Sequence, residues 1–340
     1  MATLRSDIIV PEVFTPYVIE ATTARDAFLA SGVVQPMAEL NATEGGDFIN
    51  VPVYKANLNG DFEVLSDSTS LTPGKITADR QTGVILHRGR AFEARDLAAL
   101  AAGSDPMAAI GAKVADYVAN QRQKDLLSCL AGVFGSLGTT SSSAAFFPLT
   151  IDGESGDTPT VLSPRHVAEA KSLLGDQGEK LTAMCVHSKV YYDLVERRAI
   201  DFIYDNTGAG DTAADSGSTA NAFGQVSVPT FMGLRVIVSD DVQTDGSGAT
   251  TEYATYFFTQ GAVASGEQLA MQTETDRDIL AKSDAMSIDL HYCYHPVGSR
   301  WTASTVNPTR SELETVGNWS KVYETKNLGI VRVTNTSNMD

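Results

Sequence analysis

The residues Asp105-Pro106-Met107 through Phe134 constrain this chain most, because they read as one helix of about 30 residues. Asp105 is a favoured N-cap and Pro106 a favoured first helical residue. Met107, Ile110, Val114, Tyr117 and Val118 recur at helical spacing, as do Leu126, Leu127, Leu130, Val133 and Phe134. Gly135 and Gly138 supply the stop. At ~1.5 Å per residue the helix is roughly 40–45 Å long. Its middle, Asn120-Gln121-Arg122-Gln123-Lys124-Asp125, is polar all round, which predicts a stretch that is not buried on every side. The helix is then either a long surface helix of one domain or a spine bridging two parts of an elongated subunit.

What precedes the helix is extended. Residues 1–46 form an arm punctuated by Pro11, Pro16 and Pro36, with a short helix expected between Val13 and Phe28. In residues 47–95, Ile49, Val51 and Val53 share one strand face, and Phe48, Asn50, Pro52 and Tyr54 share the other. Thr82 to Ala94 reads as the return strand. Turn residues lie between them: Asn57-Leu58-Asn59-Gly60-Asp61, Ser66-Asp67-Ser68-Thr69-Ser70 and Pro73-Gly74-Lys75. A two-stranded ribbon with a polar tip has little stability alone. It must lie on its own body or on another chain.

After the helix, residues 139–162 are loop-like. A second unit opens at Ser163-Pro164 with a helix to Leu174, a strand Leu181 to Val186, and a helix Ser188 to Ala199. Residues 205–224, rich in Gly, Ser, Ala and Asp, read as a mobile surface loop. Met232 to Val238, Tyr253 to Thr259 and Ile288 to Tyr294 read as strands. The last forty residues carry Trp301 and Trp319 but little periodicity.

The net charge is -17, which argues against nucleic-acid binding through bulk charge. The densest basic groups, His87-Arg88-Gly89-Arg90 and Glu196-Arg197-Arg198, read as solvated faces or partners of carboxylates. Cys129, Cys185 and Cys293 are odd in number and sit in apolar segments, as reduced cysteines packed as small hydrophobes do. With no apolar signal core near Met1, a cytosolic site of folding is expected. No apolar run reaches membrane-spanning length, and the sequons at Asn41, Asn318 and Asn335 read as chance.

No nucleotide-binding or nucleophile-elbow motif occurs, and Gly208-Ala209-Gly210 lies in a low-complexity loop. His291-Tyr292-Cys293-Tyr294-His295 would put three soft ligands on one strand face, but about 7 Å apart, long for one ion. A half-buried aromatic strand is the preferred reading. Asp240-Asp241-Val242-Gln243-Thr244-Asp245-Gly246 lacks the ligand spacing and closing Glu of a calcium loop and reads as a solvated turn. His87, His166 and His187 have no Ser or Cys partner placed by sequence. No residue is assigned as catalytic, cofactor-binding or metal-ligating, and no cofactor is expected.

The order of elements resembles the HK97-like major capsid proteins of tailed bacteriophages, an α+β fold. Residues 1–46 resemble the N-arm, 47–95 the E-loop hairpin, and 105–134 the spine helix. Residues 96–162 and 276–340 would form the peripheral domain and 163–275 the axial domain. Gly233-Leu234-Arg235-Val236-Ile237-Val238-Ser239-Asp240-Asp241 and Tyr256-Phe257-Phe258-Thr259-Gln260-Gly261-Ala262 are similar to axial-domain strands. Asp289-Leu290-His291-Tyr292-Cys293-Tyr294-His295-Pro296-Val297-Gly298 resembles the returning peripheral strand.

The resemblance implies a structural shell protein and not an enzyme. Copies would form hexamers and pentamers of an icosahedral shell around packaged double-stranded DNA, with no sequence-specific DNA contact and no membrane. A separate scaffolding protein, a portal and a cement protein are the implied partners, with assembly in the host cytoplasm. Some members crosslink a ribbon lysine to a neighbour's asparagine, for which Lys75 with Asn307 or Asn318 could be named; nothing in the sequence activates such a pair. The alternatives are an encapsulin-like compartment and an α/β enzyme with a lid hairpin.

Overall fold

The computed structural model describes residues 27–41, 45–55, 62–64, 70–71, 73–74, 76–96, 106–137, 143–152, 160–204, 227–246 and 251–338. Most of the arm, the Asp105 cap, much of the ribbon tip, Lys75 and the loop 205–224 lie outside them. In chain order come α1 (Ala27–Ala30), β1 (Val34–Pro36), β2 (Phe48–Tyr54), β3 (Ala78–Val84), β4 (Leu86–Arg95) and α2 (Pro106–Phe134). Next are β5 (Thr150–Asp152), α3 (Pro164–Leu173), β6 (Leu181–Val186), α4 (Ser188–Glu196), β7 (Asp201–Tyr204), β8 (Ser227–Phe231), β9 (Leu234–Val238), β10 (Thr244–Asp245) and β11 (Glu252–Thr259). The chain ends with β12 (Val263–Asp278), β13 (Ser283–Pro296), β14 (Ser299–Trp301), α5 (Arg310–Leu313), β15 (Trp319–Lys321) and β16 (Ile330–Asn335). Two compact units result: residues 1–147 with 261–328, and residues 148–260 with 329–340.

The first unit is built on a four-stranded sheet of order β1-β12-β13-β4. β12 and β13 pair antiparallel from Val263–Pro296 at one end to Asp278–Ser283 at the other. This long pair runs through residue 275, where a domain boundary was expected; the many charged residues near its tip hide a strand exposed on both faces.

The helix α2 has the length its caps predict. Val114, Ala115 and Val118 pack on Met271, Met286 and Ile288 of the sheet. Phe92 meets Tyr117 edge-on at 5.6 Å. The last turns bury Leu126, Leu127, Leu130, Val133 and Phe134. There Gly132 has no room for a side chain: a Cβ would overlap the carbonyl of Leu313 and the indole of Trp319. Trp319 in turn donates to Leu313 O at 2.7 Å and meets Trp301 edge-on at 5.1 Å.

The ribbon is real but shorter on its return side than its alternation suggests. β2 pairs with β3 from Phe48–Val84 to Tyr54–Ala78. The return strand therefore begins at Ala78, not Thr82. It breaks at Ile85, whose N–H donates to Asp47 O at 3.0 Å. Beyond that residue β4 leaves β2 and pairs with β13, from Leu86–Tyr292 to Arg95–Ser283. Period-two alternation continues through the change of partner, so the sequence carries no mark of it.

The second unit holds an eight-stranded sheet with the main order β5-β16-β11-β6-β9-β8-β7 and β10 beside β11. β6 with β9 and β16 with β5 are parallel pairs. Met232 (φ 49) and Gly233 (φ 81) make the two-residue turn between β8 and β9, so the strand read from Met232 starts at Leu234. The tail that looked aperiodic supplies β16, buried along its whole length between β5 and β11. A strand covered on both faces needs no alternation.

Candidate functional site

The polar middle of α2 is not buried on every side, as expected, but it ends in one buried charge. Asp125, fully buried, sits in register with Val118 and Cys129 on the stripe that faces the rest of its unit. Its Oδ2 accepts from Arg88 Nε of β4 at 3.1 Å and from the Tyr292 hydroxyl of β13 at 2.5 Å. Its Oδ1 accepts from Arg310 Nε of α5. Arg310 also donates to Gln121 O and Oε1, while Arg88 donates to Asn307 Oδ1 and Pro308 O. Burial first, then the Asp125 charge and its hydrogen bond, push the Tyr292 hydroxyl up, so it stays protonated as a donor. One carboxylate thus ties a helix, two strands and the C-terminal segment of its unit together. A buried charge of this kind is tolerated only when paired and hydrogen-bonded.

One turn earlier on α2, Arg122 lies over the rings of Tyr292 and Tyr294, at 5.2 and 5.6 Å, and reaches Glu267 at 3.3 Å. Burial works against its charge, but Tyr294 and Glu267 prevail and hold the guanidinium above its ordinary value.

A second junction fixes the ribbon's root. Gln81 of β3 donates to the Tyr323 hydroxyl and accepts from Gly298 N at 3.0 Å and His295 Nε2 at 3.2 Å. Burial drives His295 down to about 4, so it is neutral at pH 7.

The strand residues considered as metal ligands do not converge. Cys293 and His295 are buried, whereas His291 stacks on His87 at 4.3 Å. Among the described residues no three His, Cys, Asp or Glu side chains gather as a metal would need. Burial also pushes the Cys293 thiol up to about 12. Cys129 and Cys185 are buried and free as well.

The other candidates have structural partners. His166 Nδ1 accepts from Ser163 N at the start of α3. His187 Nδ1 accepts from Lys189 N at the start of α4. Asp240 Oδ1 accepts from Ser188 N, so the acidic turn, solvent-exposed as expected, also caps a helix. Asn307 and Asn318, the asparagines weighed for a crosslink, bind within the chain: Asn307 Oδ1 accepts from His87 N, and Asn318 Nδ2 donates to Glu312 O.

Sequence reasoning missed the β12–β13 tip. Ile279 and Leu280 are 81% and 96% exposed. Asp278 Oδ1 accepts from Leu280 N and Ala281 N, and Arg277 bridges Asp96 and Asp284 at 2.7 and 2.9 Å. Two large apolar side chains are thus presented on a preformed turn. The signal was an apolar pair inside a charged run. Exposed Tyr54, Phe62, Val64, Leu71 and Ile76 add a second apolar set on the ribbon.

Residues 37–329 match the family model of Gp13-like proteins, described as major capsid protein 13-like. The major capsid protein of Bacillus phage SPP1 is 35% identical over 336 residues, covering 96% of each chain. The cyanophage Pam1 capsid asymmetric unit is similar with a TM-score of 0.57, at 13% identity over 93% of each chain. The capsid of Ralstonia phage GP4 has a TM-score of 0.55, at 8% identity over 91% of this chain and 88% of that one. Those two structures share the fold, the HK97-like capsid architecture. The family-model match and the sequence kinship together place this chain in the Gp13-like family of tailed-phage major capsid proteins, the structural shell proteins of the virion.

Proposed function

We propose that copies of this chain assemble into hexamers and pentamers of an icosahedral shell that encloses double-stranded DNA in the host cytoplasm. It acts as a building element and not as an enzyme. The observation that carries this reading is the Ile279-Leu280 pair, almost fully exposed on a turn held by Asp278 and Arg277. Rigid apolar knobs cost little entropy on docking, and head-to-tail contacts between copies close rings. The ribbon of β2 and β3 acts as the E-loop, and residues 1–46 as the N-arm. The unit containing α2 and the four-stranded sheet acts as the peripheral domain, and residues 148–260 with 329–340 as the axial domain.

A separate scaffolding protein sets the shell's curvature, and portal and cement proteins complete it. The test is expression of the chain with and without a scaffolding protein, followed by electron microscopy. Regular closed shells are expected only in its presence; regular shells from the chain alone defeat the scaffold assignment. A chain that stays monomeric at high concentration under both conditions defeats the assembly reading.

A further inference from the structure

A cavity of about 170 Å³ beside α2 is lined by Arg88, Arg90, Arg122 and Arg310, with Asp125 at its wall. Such a concentration is unexpected in a chain of net charge -17. The carboxylates that pair with these arginines are Asp125 and Glu267. Among the described residues, four guanidinium charges thus meet two paired carboxylates, an excess of two positive charges.

The excess is localised. Arg90 follows Arg88 by two residues on β4 and so shares its face. Its side chain is exposed and makes no hydrogen bond or ion pair among the described residues, unlike those of the other three. Arg122 bonds through Nε and Nη2 only, as does Arg310, so Nη1 of each has no hydrogen bond among the described residues. The rest of the lining includes Tyr117, Val118 and Ile288, an apolar wall that strengthens any charge–charge attraction. Like charges held together beside such a wall repel, and a bound anion relieves them.

We propose that this arginine pocket binds a phosphate oxyanion. A phosphate group of charge about -1.5 to -2 matches the two-charge excess, and its oxygens suit the planar guanidinium fork. A carboxylate, with one charge, leaves half of the excess. The phosphate could be free in solution or belong to a DNA backbone; both present the same oxygens to the arginines. The site goes beyond the shell reading and does not depend on it.

The test uses the full-length chain and phosphorus-31 NMR of inorganic phosphate in a chloride background of constant ionic strength. Wild type should broaden the phosphate resonance saturably, and its Tm should rise with phosphate concentration. Arg90→Gln, which removes no contact within the fold, should weaken binding about tenfold. Arg90→Lys should recover part of that loss, since it restores charge without the fork. Arg165→Gln, an equal charge loss in the other unit, should change nothing.

Short duplex DNA that displaces the phosphate identifies a backbone phosphate as the source; duplex that fails to displace it identifies free phosphate, and either supports the site. Absence of saturable broadening overturns the proposal. So does Arg90→Gln binding as well as wild type, or acetate competing on equal terms with phosphate.

Discussion

The hydroxyl of Tyr292 donates to Oδ2 of Asp125 across 2.5 Å, joining the middle of α2 to a central strand of the four-stranded sheet. Replacing Asp125 by Asn keeps the shape and removes the charge that Arg88 and Arg310 share. Losing one member of a buried ionic group leaves the others uncompensated, at about 3–5 kcal/mol. Asp125→Asn is therefore expected to lower the unfolding free energy measured in urea by that amount. Tyr292→Phe, which removes one donor to a charged group, should cost about 1.5–3 kcal/mol. Equal and negligible effects of both substitutions would mean the junction is not structural.

Gly132 is where the helix lies closest to its covering segment. Gly132→Ala would normally favour a helix, by about 1 kcal/mol. Here the methyl group meets Leu313 O and the Trp319 ring. Overpacking should reverse the sign, with a loss of about 1–3 kcal/mol in urea unfolding and a shifted tryptophan emission.

Acid should loosen the ribbon's root. His295 has a folded value near 4 against an ordinary 6.5, so the unfolded chain takes up its proton first as the pH falls. The contribution is complete above pH 6.5 and disappears as the pH drops through the folded value near 4. It is on the order of 3 kcal/mol. Burial also lowers His166 and His291, which act in the same direction. His295→Gln should flatten the stability profile between these limits. Hydrogen exchange at β3, followed against pH, reads the effect directly.

The β12–β13 tip separates assembly from folding. Ile279→Asp with Leu280→Asp alters two exposed side chains, so monomer stability should stay within about 0.5 kcal/mol. Shell formation with a scaffolding protein should fail when assayed by sedimentation. Normal shells from this double variant would remove the tip from the assembly surface.

Local signals made much of this fold legible. Pro106 and Gly135 bracket α2, and the strand Leu181–Val186 and the start of α3 at Pro164 follow from their patterns. What stayed hidden depends on distant partners. Asp125 looks solvent-facing until Arg88, Tyr292 and Arg310 arrive from up to 185 residues away. In Ile330–Asn335, Val331 and Val333 alternate with Arg332 and Thr334, but the run is too short to stand out, and its alternation points to one wet face although the strand is buried throughout. No strand is read at the tip of β12 in the sequence, because Glu274, Asp276, Arg277 and Asp278 are exposed while still paired in a ladder. Cavity charge is likewise invisible in sequence, since Arg88 and Arg310 come together only through the fold.

Ile85 joins β3 to β4 without an intervening loop, and its amide is fastened to Asp47. Traction on the hairpin would travel along one continuous backbone into the strand beside β13. A strand loaded along its own axis yields only when many ladder bonds slip together, unlike one peeled from an end. The joint is therefore suited to carry load in shear rather than in peel.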